Sequence, residues 1–306
     1  MQFSVREPVS SDTKISYSQF AMYSTCPKHW ELAYVKGLRS HTPSIHTVFG
    51  TAFHETLQTY LHTMYNESGK AADQLDLKKL LHENMMNTYT DSYTKLGDHF
   101  TTKFELGEFY NDGLAILEFF QKKRGAYFSV RGYELLGIEL PIYHEVTDKN
   151  KNIKMLGYID VVLRCTRTNR IIIYDIKTST MGWNKWQKAD KIKTSQLVLY
   201  KEYFARQFGY DPEEIDICYF IVKRKLYDGA MFPQKRIQEF VPSSGKPTRN
   251  KLIRDIESFV EMAFDDDGRY VERSYPAVAG KANKNCKYCE FKDRFDLCPK
   301  ENRIKE

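Results

Sequence analysis

Long apolar runs are missing from this sequence. No segment of its 306 residues approaches the ~18 uninterrupted apolar positions that a membrane-crossing helix requires, so no spanning segment is predicted. The opening Met1-Gln2-Phe3-Ser4-Val5-Arg6-Glu7 lacks the basic and apolar regions of a signal peptide, which points to a reducing, cytoplasmic compartment. Cysteine is scarce, at six, and in that compartment the six are expected as thiols or metal ligands rather than disulfides. A phosphate-binding loop is absent too. The Gly245-Lys246 pair has no upstream glycine at the required spacing, which removes an ATPase motor from the functions considered.

What is present fits a globular chain of one large domain or two modest ones, with 28% charged and 42% hydrophobic residues. A net charge of +6 and a pI near 8.8 lean toward a polyanionic partner.

The most informative stretch runs from Met155 to Lys177 and reads as two strands joined by a short polar turn. The first delivers Asp160 in Gly157-Tyr158-Ile159-Asp160, the second delivers Asp175 after the apolar run Ile171-Ile172-Ile173-Tyr174, and Lys177 follows. Strand side chains alternate, so Asp175 and Lys177 project together while Ile176 turns into the packed side. Two carboxylates on neighbouring strands are suited to a hard divalent cation, and the ammonium to orienting water or offsetting charge on a phosphoryl group. The bland alternative is a pair of charges at an exposed strand end.

Around this stretch the chain is read in order. Residues 1–14 form a leader and 15–300 a single domain. Ser16 with Gln19 predicts a capped short helix, followed by Cys26-Pro27 and a second helix over 28–35. Phe49 opens a long amphipathic helix to about Tyr65, with His54 beside its apolar stripe as either a packed core residue or a ligand. A helical insert spans about 66–130, its chain helical from Leu75 to Arg124, and Tyr133–Val146 is a strand in which Glu139 is either a further site carboxylate or an exposed glutamate. Beyond Lys177 comes a polar loop in which Trp183 and Trp186 alternate with Lys185 and Lys188. That pattern suits either base stacking with phosphate contact or plain loop packing. Gln196 and Tyr200 share one face of a helix over 194–208, and strands follow over 215–222 and 235–241. Cys286, Cys289 and Cys298 gather in the last stretch, at about 280–300, as three ligands of a thiolate site that lacks a fourth. Cys26 is the natural completion, for zinc or an iron–sulfur cluster. Cys165 and Cys218 read as buried packing residues.

Six motifs, Ser16-x-Ser18-Gln19-Phe20 through Cys26-Pro27, Gly50-x-x-x-His54-Glu55, Gly157-Tyr158-Ile159-Asp160, Asp175-Ile176-Lys177-Thr178, Gln196-x-x-x-Tyr200 and the terminal cysteines, occur in an order that resembles the RecB-like branch of the PD-(D/E)XK nuclease superfamily. More narrowly it resembles the branch's iron–sulfur-containing members. The resemblance implies an α/β fold, a mixed central sheet flanked by helices in a restriction-endonuclease-like core, with the cysteine-ligated cluster joining the chain ends. It implies His54, Asp160, Asp175 and the Ile176 carbonyl, with Glu139 as a looser match, as ligands of Mg²⁺ or Mn²⁺. Lys177 would be the catalytic lysine, and Gln196 and Tyr200 would support it or bind the substrate strand. The expected activity is hydrolysis of DNA phosphodiesters, as an exonuclease on single strands or ends, in a bacterial or phage setting and free-standing or beside a separate helicase or recombination protein. The alternative is a non-cleaving DNA-binding subunit. The family's final cysteines sit closer together than Cys289 and Cys298, which keeps zinc open beside a [4Fe–4S] cluster.

Overall fold

A computed structural model of the chain describes residues 8–9, 11–40 and 42–305. Residues 1–7 and 10 of the expected leader lie outside the described residues, and the first strand begins inside that stretch, at Thr13.

The elements in order are β1 (Thr13–Ile15), α1 (Tyr17–Thr25), α2 (Pro27–Trp30, running on as a π-helical turn, Glu31–Val35), α3 (Ile45–Asn66), α4 (Gly69–Asp73), α5 (Leu77–Leu96) and α6 (Lys103–Lys123). Then come β2 (Tyr133–Glu145), β3 (Ile153–Cys165), β4 (Ile171–Ser179), α7 (Lys185–Ala189), α8 (Lys191–Phe208), β5 (Ile215–Lys223), β6 (Ile237–Phe240), α9 (Lys246–Ala263), β7 (Ala277–Val278) and β8 (Arg303–Ile304). Among the described residues no helix is long and apolar enough to cross a membrane.

Six strands form one mixed sheet in which β3 is central. β2 runs antiparallel along one edge of β3, so β1 and β4 share the other: β1 pairs parallel with Ile153–Met155 and β4 antiparallel with Val161–Arg164. β5 continues parallel to β4, and β6 closes the edge antiparallel. Alternate strand residues feed two cores. Ile171, Ile173, Ile217, Tyr219 and Ile221 pack under α1, α8 and α9, whereas Tyr174, Ile176, Cys218, Phe220 and Val222 pack under α3, α5 and α6. The result is a three-layer α/β sandwich, and burying both faces explains the near-continuous apolar character of β4 and β5.

Several local expectations are corrected. The long helix opens at Ile45 rather than Phe49, because the Ser44 hydroxyl caps the Thr47 N–H. The helical run from Leu75 to Arg124 is broken: Gly97 takes a left-handed φ of 77° to end α5, and Thr102 with Glu105 forms a capping box that starts α6. The polar loop after Lys177 holds a short helix, α7, capped by Asn184. Cys165 is half-buried at a strand end, whereas Cys218 is buried as expected.

Candidate active site and cysteine cavity

The ladder between β3 and β4 stops at the Val161–Tyr174 rung. Beyond it the two strands part, and Ile176 has no backbone partner on β3. The Asp160 carboxylate takes over, its Oδ2 accepting the Ile176 N–H at 2.6 Å. A strand residue's N–H and C=O point to the same edge, so the Ile176 carbonyl also faces the gap, where it hydrogen-bonds the His54 ring. His54 Nδ1 is 3.7 Å from Asp160 Oδ2. The parting of two strands therefore assembles a carboxylate, a carbonyl and an imidazole from three elements.

On the far side of β4, Asp175 and Lys177 lie together as alternation predicts, with Lys177 Nζ 3.1 Å from Asp175 Oδ1 and 2.8 Å from Oδ2, while Ile176 is fully buried. The Lys177 ammonium also donates to Gln196 Oε1 at 3.1 Å, and Gln196 Nε2 donates to the Tyr200 hydroxyl at 3.2 Å. Helical spacing of four places Gln196 and Tyr200 on the α8 face that meets β4. The lysine is thus held between a carboxylate and an amide.

Glu139 stands opposite Asp160, between the Ile138–Val161 and Leu140–Ile159 rungs. Its backbone is left-handed, with φ 50°, a conformation that costs a non-glycine residue about 1–3 kcal/mol. Both strands change facing at this rung: Leu140 and Ile159 look toward α8 and α9, whereas Ile138 and Val161 look toward α3. The kink turns the acidic rung out of the regular pleat. Glu139 is exposed, yet its Oε1 accepts from Gln58 Nε2 at 2.6 Å, and the same amide lies 3.5 Å from the Asp160 carbonyl. Gln58 was not expected at the site. Its only signal is position, one helical turn beyond His54 on the same face.

Electrostatics follow from burial. Burial, then the neighbouring Asp175 charge, raises the Asp160 carboxyl well above the usual carboxylate range; burial likewise raises Asp175. Burial and the Lys177 charge lower His54 to about 4, leaving a neutral imidazole at neutral pH. Burial alone would lower Lys177, but the Asp175 charge and hydrogen bond outweigh it and the net shift is upward. Asp175 Oδ2 is buried and accepts no hydrogen bond, although the Lys177 ammonium is near. Two crowded carboxylates, a neutral imidazole, a backbone carbonyl turned toward them and a carboxylate oxygen that accepts no hydrogen bond together fit a hard divalent cation. Among the described residues no three His, Cys, Asp or Glu side chains already form a metal cage.

The expected nucleic-acid contacts divide. Trp183 is a correction: it is 5% exposed, packed on Tyr219 and Phe240, and belongs to the core. Trp186 is 73% exposed, with Lys185 Nζ 4.9 Å from its ring, while Lys188 lies over Phe240.

The four cysteines Cys26, Cys286, Cys289 and Cys298 line one cavity with Asn285, Phe291 and Arg303. The segment that carries three of them docks on the α1–α2 corner. Asn285 Nδ2 donates to the Thr25 carbonyl at 2.9 Å, Lys28 N to Pro276 O at 3.0 Å, and Val278 N to Cys26 Sγ at 3.3 Å. Burial raises the Cys289 thiol, and the other three sulfurs add to the effect. Arg303 donates to the Lys292 and Cys298 carbonyls through Nη2, while its buried Nε finds no acceptor. Four sulfurs around one cavity, beside an unpaired cationic N–H, fit a thiolate centre.

No individually curated protein matches the chain. The profile of the PD-(D/E)XK nuclease superfamily matches residues 14–296, from β1 to the last cysteine-bearing segment, and spans Asp160, Asp175 and Lys177. With that match over nearly its whole length, the chain belongs to the PD-(D/E)XK nuclease superfamily.

Proposed function

We propose that this chain is a Mg²⁺- or Mn²⁺-dependent deoxyribonuclease that acts as an exonuclease on single-stranded DNA or DNA ends. The observation that carries the reading is the Lys177 ammonium, held between the Asp175 carboxylate and the Gln196 amide. A divalent cation held by His54, Asp160, Asp175 and the Ile176 carbonyl would polarise the scissile phosphate and acidify a bound water. Lys177, fixed by Asp175 and Gln196, offers a preorganised positive charge to the phosphoryl oxygens. Tyr200 locks Gln196, so the lysine keeps its direction without the substrate. Gln58 restrains Glu139 opposite Asp160, where the carboxylate adds negative charge for a cation.

The cysteine cavity is the second half of the proposal. Cys26, Cys286, Cys289 and Cys298 hold a [4Fe–4S] cluster, with zinc as the alternative. Such a centre would supply folding free energy by clamping the C-terminal segment to the α1–α2 corner.

The test uses anaerobically purified protein: an absorption spectrum with iron, sulfide and zinc content, then end-labelled single-stranded DNA with Mn²⁺ and with EDTA. Metal-dependent cleavage supports the nuclease, and the label position gives its polarity. A colourless zinc protein that cleaves removes the cluster alone. Binding without cleavage by fully metallated protein overturns the enzyme in favour of a DNA-recognition subunit.

A further inference from the structure

The loop between β5 and β6 leaves the sheet at the end where Lys177 lies. Lys177 pairs with Ile221, and three residues on, about 10 Å at ~3.3 Å per strand residue, the loop begins. Its root is tied to the end of β4, with Arg224 N donating to Ser179 O at 2.8 Å and Lys225 N to Thr180 O at 2.7 Å. Its neck is closed by two hydrogen bonds between Tyr227 and Gln234, of 2.9 and 2.7 Å. The hairpin is therefore fixed at root and neck.

Three apolar side chains at its neck and tip stand largely in solvent. Met231 is 93% exposed, Phe232 80% and Tyr227 68%. A single exposed apolar residue needs no explanation, but three within six residues on a braced hairpin do. Beside it, Gln238 of β6 exchanges hydrogen bonds of 2.7 and 3.1 Å with the backbone of Trp183, which holds the start of α7 and its exposed Trp186 against the same strand pair. Lys185 stands next to Trp186, and the chain as a whole is basic. Exposed flat or flexible apolar side chains interleaved with cations suit a ligand that offers apolar faces and phosphates together. A duplex hides its base faces; an unpaired strand presents them.

We propose that the β5–β6 hairpin is a base-stacking finger that grips unpaired nucleotides next to the scissile phosphate and so sets the preference for single-stranded DNA. The inference rests on the nuclease reading only in placing that phosphate at Lys177.

The test is the double variant M231S/F232S, whose side chains stand in solvent and leave the fold intact. Labelled single-stranded DNA and a duplex of equal length are titrated in EDTA, where nothing is cut. Single-strand affinity is expected to fall about tenfold or more, because base–aromatic stacking contributes that much per base, and duplex affinity to change little. With Mn²⁺, hydrolysis of a nitrophenyl phosphodiester too small to reach the tip should match the unaltered protein. If the variant loses single-strand affinity and neither protein cleaves anything, the finger stands and the nuclease reading falls. Undiminished single-strand binding overturns the finger. So does an equal loss on both DNAs, or a dimer in the unaltered protein that the variant abolishes, which would identify the tip as a contact between copies.

Discussion

A β-carbon on Gly157 would stand 2.7 Å from the hydroxyl oxygen of Tyr200. No φ restriction demands glycine there; the reason is Tyr200, whose hydroxyl and adjoining ring edge occupy the space while the hydroxyl accepts from Gln196. Gly157→Ala is expected to push Tyr200 away and loosen the amide that directs Lys177. Overpacking costs about 1–3 kcal/mol of stability, and cleavage should fall through kcat rather than KM. Steady-state kinetics beside thermal melts check both.

Asp175→Ala should abolish cleavage and leave the far-ultraviolet circular dichroism unchanged, because the side chain holds Lys177 and not the sheet. Calorimetric titration with Mn²⁺ is expected to show the site lost. Residual cleavage at the unaltered rate would remove Asp175 from the chemistry.

Position 139 should reverse an ordinary ranking. Within strands, alanine is normally more stable than glycine, but glycine alone accepts a left-handed backbone freely. Glu139→Gly is therefore expected to be more stable than Glu139→Ala, by about 1 kcal/mol, with both impaired in cleavage. Urea unfolding of the two variants gives the comparison.

Lys154 is buried on β3, and its ammonium lies 2.5 Å from Glu145 Oε1 on β2. The hydrogen bond from Lys154 holds the Glu145 carboxyl below the usual range. A depressed carboxyl stabilises the fold above its unfolded pKa, ~4.3, and loses that contribution as pH falls through the lower folded value. Glu145→Gln should cost about 1 kcal/mol at neutral pH, a difference that shrinks toward pH 3. Melting temperatures from pH 7 to 3 test the sign.

Cys286→Ala is expected to lose bound metal and thermal stability together, whereas Cys165→Ala, at a strand end away from the cavity, should lose neither. Metal analysis paired with melting separates these outcomes. Full occupancy in Cys286→Ala would remove it from the ligand set.

The sheet was legible where alternation was regular. β3, β4 and β5 read to within a residue or two because Ile171–Tyr174 and Ile215–Val222 are apolar on both faces, and Asp175 with Lys177 fell on one side as period two requires. The reading thinned at the Glu139–Asp160 rung, where a left-handed residue reverses the facing of both strands and no local pattern announces it. Trp183 and Trp186 look alike in sequence, three residues apart among lysines. Only the partner strand decides that one is roofed by Phe240 and the other stands in solvent. Gln58 escaped because a glutamine on a helix face has no signature until the opposing strand is known. The break at Gly97, by contrast, was written in the sequence as a glycine followed by a capping box.

The Ile176 edge, where β3 and β4 separate, is reached by His54 and Gln58 from the α3 layer and by Gln196 and Tyr200 from the α8 layer. Each half belongs to a different apolar core. The site thus behaves as a vernier between two bodies: a slip of one layer by a fraction of an ångström leaves every packing contact nearly intact, yet moves the imidazole relative to the ammonium. If the proposed nuclease reading holds, loosening of either core at a distance is expected to blunt cleavage before it registers as unfolding, and warming to silence it while the sheet is still whole.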